Sequence, residues 1–316
     1  MFENGKIWLD DAGVPIQAHG GCIIRHDDIW YWYGENKGAE NCPGTTRVDV
    51  IGISCYSSKD MNSWHYEGLA LDVKNSPEGS LIQPENVCER PKVLYNEKTG
   101  KFVMWMHLDT PKYTYAGVAV AVADNPTGPF TVIREMQPNR TDSRDMTLFK
   151  DVDGTAWLVH SSDWNKTLRL SRLTEDFTDV DGFYASVLVD QTREAPALMY
   201  KEGKYYMITS GCTGWQPNSA LYAECGHLCG QWKLIDNPCE GENYRRTFEG
   251  QSTYIFEKDG KTWLILDHWK PGNLKNSGYS ILPVTVENGI LTVKWQATFP
   301  EQASKSGAFD PDIIIQ

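Results

Sequence analysis

One strand plan recurs five times along the chain, and this repetition limits the fold more than any other feature of the sequence. It reads DDIWYWYGE at 27–35, TGKFVMWMH at 99–107, DGTAWLVHSS at 153–162, EGKYYMITSG at 202–211 and DGKTWLILDH at 259–268. Four copies open on a D-G, E-G or T-G pair, which is hairpin-turn chemistry, and strand-forming aromatic and aliphatic residues follow. The copies start roughly 50 to 70 residues apart, too far for a solenoid coil and right for a four-stranded propeller blade. Each repeat then continues into a second strand, a turn and an aromatic-led strand, as in SCYSSKDMNSWHYEG (54–68) and VAVADNPTGPFTVI (120–133). The fifth, YSILPVTVENGILTVKW (279–295), follows the plan loosely. Apolar residues at 3.6-residue spacing persist for no more than a turn or two, so helix is scarce. The expectation is an all-β chain forming a five-bladed β-propeller, a single domain over residues 1–316.

The repeats also bring chemistry together. Nine residues before the turn position of four copies stand His19, Asp145, Glu194 and Gln251, and eleven before the remaining one stands Glu89. Each is polar and each opens a short apolar strand: HGGCII, ERPKVLY, DMTLFK, EAPALMY, QSTYIF. The first strand of a propeller blade lines the central channel, so equivalent positions converge on the axis. One acid at a strand start is ordinarily solvated. Five polar residues at equivalent positions, each leading a strand that buries it, point to one pocket. Carboxylates around an aromatic-rich pocket suit glycoside hydrolysis, in which one acid protonates the leaving oxygen and a second group handles water on the other face of the sugar.

Composition excludes several other classes. With 30 Lys+Arg against 42 Asp+Glu the net charge is −12, which argues against nucleic acid or an anionic membrane as partner. No run approaches the roughly 18 apolar residues of a membrane span. The opening MFENGKIWLDD lacks the basic and apolar regions of a signal peptide, so a cytoplasmic location is expected, or a secreted or periplasmic one if a leader has been removed. Twelve tryptophans either fill a β core or offer flat faces to sugar rings. Cys225, His227, Cys229 and Cys239 have no common zinc spacing, and no G-x-S-x-G elbow is present. A histidine near the axis, His19 or His268, is more often a hydrogen-bonding core residue than a ligand, so neither metal nor other cofactor is expected.

The segments QAHGG (17–21), YWYGENK (31–37), ERPKVLYN (89–96), SRDMTLF (143–149), REAPALMYKEGKYYMITSGCTGW (193–215) and QSTYIF (251–256) resemble glycoside hydrolase family 43, and within it the galactan 1,3-β-galactosidase subfamily. The resemblance runs from about Val14 to about Pro283. The blade-one Asp that serves other members as base is absent here, with His19-Gly20-Gly21 in its place.

This resemblance implies roles. Glu194 matches the general acid and Asp145 the carboxylate that tunes and orients it. Gln251 matches a glutamine that handles the attacking water, with Glu89 the competing candidate for base or else a hydroxyl binder. Glu35, Tyr115, Asn165 and Thr213 match hydroxyl-binding positions, His19 joins the sugar-binding set, and Trp215 is the candidate stacking platform. Inversion of configuration, the family's outcome, implies that acid and water-handling group stand roughly 6.5–9.5 Å apart. The implied partner is an oligosaccharide or polysaccharide of β-1,3-galactan type, cleaved from its end. Two alternatives stay open: an arabinofuranosidase or xylosidase on the same fold, and a non-catalytic sugar-binding propeller.

Overall fold

The computed structural model describes residues 1–300, so the stretch 301–316 of the expected domain lies outside the described residues. Five antiparallel sheets follow one another along the chain. Blade one comprises His19–His26, Ile29–Glu35, Gly52–Ser58 and His65–Asp72. Blade two comprises Val87–Asn96, Lys101–Asp109, Gly117–Ala123 and Thr131–Met136, and blade three Met146–Lys150, Ala156–Ser162, Thr167–Leu173 and Val180–Val187. Blade four comprises Arg193–Lys201, Lys204–Gly211, Leu221–Cys225 and the two-residue Lys233–Leu234. Blade five comprises Gln251–Lys258, Lys261–His268, Gly278–Glu287 and Ile290–Lys294, with Cys239–Glu240 added in parallel at its outer edge. The first strands of successive blades touch in order and the fifth touches the first, which closes a five-bladed β-propeller. Helix among the described residues is confined to four short 3₁₀ turns, and none is long and apolar enough to cross a membrane.

The core is five separate seams, one between each pair of adjacent blades. A strand sends successive side chains to opposite faces, and in a propeller both faces of a blade are covered. Within Lys101–Asp109 the stretch 102–106 therefore reads as an unbroken apolar run. Phe102, Met104, Met106 and Leu108 pack towards blade one, while Val103 and Trp105 pack towards blade three. The same division makes the seams between blades three and four and between blades four and five. The last seam, between blades five and one, is built of aromatic rings: Trp8, Trp30, Trp32, Trp64, Phe256, Trp263 and Tyr279. Eight of the twelve tryptophans are buried, so most of the indole content fills seams rather than binding ligand.

The chain's first residues complete the ring. Phe2–Glu3 pairs antiparallel with Thr298–Phe299. Next to it Asn4, 5 % exposed, donates from Nδ2 to the carbonyls of Ile281 (3.3 Å) and Gln296 (3.0 Å) and accepts from the Ile281 N–H (2.9 Å). Asn4→Ala leaves a buried backbone N–H without its partner, and the cost expected is about 1–3 kcal/mol of folding stability. Equilibrium unfolding in urea checks this; a loss under 0.5 kcal/mol would mean that the strap is dispensable.

Candidate active site

Four of the five first strands are kinked where they reach the pocket. In blades one, two and four the register slips directly after His19, Glu89 and Glu194, so that two residues oppose one on the neighbouring strand. The inserted pairs are Gly20-Gly21, Arg90-Pro91 and Ala195-Pro196, and the first of each sits at positive φ (58°, 56° and 50°). Such bulges bend the strand and re-aim the side chain beside them. Proline tolerates the unpaired position because it has no N–H to leave unsatisfied. At Gly21 a Cβ would lie 1.7 Å from the Tyr33 carbonyl, so only glycine fits there, and at Gly20 it would lie 2.2 Å from Glu35 Oε1 and displace that carboxylate. Blade five slips between Ser252 and Tyr254, just past Gln251.

A pocket of about 270 Å³ opens here, lined by Glu35, Glu89, Asp145, Asn165, Glu194, Trp215 and Gln251 from the set the sequence suggested. Its volume lies just below the roughly 300–1,000 Å³ typical of small-molecule sites. Arg90, His107, Tyr113, Arg144 and Trp269 complete the wall.

Arg90 is the hub. Its Nη2 contacts Asp145 Oδ2 at 2.8 Å and donates to Gln251 Oε1 at 2.7 Å, and its Nη1 donates to the Ser252 carbonyl and Thr253 Oγ1. Its backbone N–H donates to Glu35 Oε1 at 2.9 Å. Beneath it the fully buried Lys92 donates to the carbonyls of Gly20 and Arg90, tying two bulges together, and burial lowers its pKa to about 8.

The carboxylates differ in charge state because their surroundings differ. Burial raises Glu194, the Asp145 charge raises it further, and Arg90 opposes both only in part, leaving a pKa of about 8. Burial also works to raise Glu89, but the His107 imidazole 3.7 Å away, Lys37 at 3.7 Å and Arg90 outweigh it and hold it at about 2. Tyr113 donates its hydroxyl to the same carboxylate at 3.2 Å. Glu35 is raised by burial against the pull of Lys37, which it contacts at 2.7 Å. At neutral pH Glu194 holds a proton and Glu89 does not.

Gln251 uses every amide atom. Its Oε1 accepts from Arg90 and from Trp269 Nε1 (2.9 Å), while its Nε2 donates to Glu194 Oε1 (3.2 Å) and Ser210 Oγ (3.0 Å). Arg and Trp only donate, which fixes which end is oxygen. Gln251 therefore touches the protonated acid directly and does not face it across the 6.5–9.5 Å gap expected of a water-handling group.

Three of the expected residues stand outside the pocket lining. His19 is fully buried, stacked on Tyr279 at 4.6 Å and bonded to Asp267 (3.2 Å) and the Tyr279 hydroxyl (3.0 Å). Tyr115 packs against the seam between blades one and two, and Tyr113 occupies the pocket instead. Thr213 donates to the Gln216 carbonyl within its own loop, whose Gly214 reaches the pocket. Lys37, Tyr113, Trp215 and Trp269 all come from the loop between the second and third strands of their blades, a regularity the sequence displays only once those strands are fixed. Among the described residues no three His, Cys, Asp or Glu side chains are arranged to hold a metal ion. His268 is bonded to Ser280 Oγ at 2.7 Å, and all eight cysteines are free thiols.

Residues 22–297 match the model of glycosyl hydrolases family 43. The chain belongs to this family of glycoside hydrolases. It is similar to a family-43 β-1,3-galactosidase solved with galactodeoxynojirimycin, at 37 % identity, TM-score 0.88, and 94 % of this chain over 99 % of that one. The exo-β-1,3-galactanase of Phanerochaete chrysosporium with β-1,3-galactotriose is 32 % identical, TM-score 0.84, over 92 % of this chain and 66 % of that longer one. That of Clostridium thermocellum is 35 % identical, TM-score 0.83, over 93 % and 65 %. The "Extracellular exo-alpha-(1->5)-L-arabinofuranosidase ArbA" of Cellvibrio japonicus is 25 % identical over 80 % of this chain and 74 % of its own length.

The Glu194 charge state is directly testable. With its pKa raised, the carboxyl is protonated below about pH 8 and ionises above it. Asp145→Asn removes a neighbouring negative charge and releases Arg90, and both changes move the titration to lower pH. Carbonyl-region difference infrared spectra of the parent and the two variants Asp145→Asn and Glu194→Gln check this. A titration unmoved in Asp145→Asn would remove Asp145 from the tuning.

Proposed function

We propose that the chain is an inverting, exo-acting glycoside hydrolase that releases galactose from the ends of β-1,3-linked galactan or arabinogalactan side chains, with the propeller over 1–316 as one catalytic domain. The observation that carries this reading is a carboxylic acid, Glu194, kept protonated near neutral pH in a pocket of about 270 Å³. A sugar-binding protein without catalysis has no use for an acid so tuned. The galactan assignment is supported by relatives named for β-1,3-galactose linkages at 32–37 % identity. The arabinofuranosidase reading is supported by a relative at 25 % identity and fits less well. That relative is named extracellular, and an extracellular site of action suits a polymeric substrate.

In this reading Glu194 donates its proton to the glycosidic oxygen as that bond breaks. Asp145 keeps the proton on Glu194, and Gln251, bonded to the same carboxyl, sets its orientation. Water attacks from the other side of the ring. Blades two and four are not neighbours in the ring, so Glu89 stands across the axis from Glu194, an ionised carboxylate unbonded to the acid. Its low pKa makes it a weak base. The role that suits it is to orient the water and accept a proton after the oxocarbenium-like transition state has formed, when the attacking oxygen has become acidic. Glu35 and Asn165 supply acceptors for sugar hydroxyls, and Trp215 and Trp269, 5.1 Å apart and edge to face, form an apolar wall.

Glu194→Gln is expected to lower kcat on β-1,3-galactobiose about 10²–10⁴-fold and to leave much less of a deficit on β-galactosyl fluoride, whose leaving group needs no proton. Equal losses on both would end the acid assignment. Glu89→Ala should regain turnover with azide and yield α-galactosyl azide, whereas Gln251→Ala should not. Azide rescue of Gln251→Ala alone would transfer the water to Gln251.

A further inference from the structure

The loops between second and third strands each bring one large side chain to the pocket end of the ring. Tyr113, Trp215 and Trp269 enter the pocket wall. In blade three the corresponding residue is Trp164, and it behaves differently. It is 72 % exposed, by far the most exposed tryptophan of the chain. Exposed indole is costly surface, and here the backbone is strained to present it. Asp163, Trp164 and Asn165 are three successive residues at positive φ, 53°, 57° and 63°. Asn and Asp tolerate that region, but for a bulky residue such as Trp it is an outlier. Strain of this sort persists only where the surroundings enforce it.

The enforcement is visible. Asp142 accepts from the backbone N–H groups of Asp163 (2.6 Å) and Trp164 (2.9 Å) and from Ser162 Oγ (2.8 Å). It also pairs with Arg144. The Arg144 guanidinium lies 4.7 Å from the centre of the Trp164 ring, a cation–π contact that holds one face of the indole. Arg144 and Asn165 both line the pocket, so the ring stands at its rim. Asn165 Oδ1 is buried there without a hydrogen-bond partner, an acceptor awaiting a donor.

We propose that Trp164 is a substrate-binding platform outside the pocket, on which the sugar next to the terminal galactose stacks by its apolar face while the terminal ring occupies the pocket. This rests on the functional reading above. With the terminal ring in the pocket, the rest of a chain cut from its end leaves through the mouth, whose rim Trp164 occupies beside Arg144 and Asn165. Asn165 then receives a hydroxyl from the ligand, and the Arg144 cation under the indole keeps the platform from turning over. Trp164 sets preference for saccharide leaving groups over small ones and takes no part in proton transfer.

The test pairs binding with turnover. Galactose, β-1,3-galactobiose and β-1,3-galactotriose are titrated calorimetrically into Glu194→Gln and into the same protein carrying Trp164→Ala or Trp164→Phe, with circular dichroism to verify folding. Affinity for the two oligosaccharides should fall about tenfold in Trp164→Ala relative to any change for galactose, and Trp164→Phe should recover part of it. In proteins with Glu194 intact, the ratio of kcat/KM for galactotriose to that for β-galactosyl fluoride should fall by a similar factor, through KM. Parallel changes for galactose and the oligosaccharides, no change at all, or no recovery in Trp164→Phe would overturn the platform. If the parent protein binds no galactose-based ligand, the galactan reading fails by itself. The same variants are then titrated with arabino- and xylo-oligosaccharides, where a selective loss for the longer ligands supports the platform and an unchanged affinity overturns it.

Discussion

The site is organised around one buried cation. Removing a guanidinium from water costs several kcal/mol unless charges and hydrogen bonds replace the lost hydration. Arg90 is 5 % exposed, and its partners come from every direction: the Glu35 carboxylate from blade one, Asp145 from blade three, and Gln251, Ser252 and Thr253 from blade five. Satisfying Arg90 thus fixes how far the blades approach the axis and where their polar side chains stop. The bulge that carries it is part of the same device, because a positive φ at Arg90 turns its N–H towards Glu35 while its side chain runs under the pocket.

From that arrangement two carboxylates on one axis acquire opposite charge states. Glu89 sits among Lys37, His107 and the Tyr113 hydroxyl and is ionised. Glu194 has the Asp145 charge as a neighbour, while Arg90, which would favour its ionisation, spends its hydrogen bonds on Asp145 and Gln251. A cation shared among several acceptors does less for each. Separate environments for two acids on one small pocket are what acid and water-side roles in sugar hydrolysis require.

What was legible in the sequence follows from which parts obey a period. The blade count, the second strands and the five polar residues opening the first strands were readable because a repeat returns them at near-constant spacing, and Glu89 at eleven rather than nine was still found. The loops obey no period, and there the reading slipped: Tyr115 was expected where Tyr113 stands, and Thr213 where Gly214 reaches the pocket. His19 was equivalent by count yet is fully buried, because Gly20 and Gly21 let the backbone close over it against Asp267 and Tyr279. Arg90 reads locally as half of a Glu-Arg pair of little worth; its partners lie 55 to 163 residues away, beyond what spacing reveals.

The strap at Phe2–Glu3 has a consequence for how such a molecule comes into being. On a ribosome the chain emerges in order, so Phe2, Glu3 and Asn4 are made well before their partners, Ile281 and Thr298–Phe299. At roughly 5–20 residues per second the strap waits on the order of tens of seconds with nothing to hold. Blades one to four can assemble neighbour on neighbour as they appear, but the aromatic seam under Trp8 stays open to water until the fifth is complete. For that interval the seam between blades five and one and the contact between their first strands are missing. Closing the ring also brings Gln251 and Trp269 to the pocket, so the site is complete only when the fifth blade is in place.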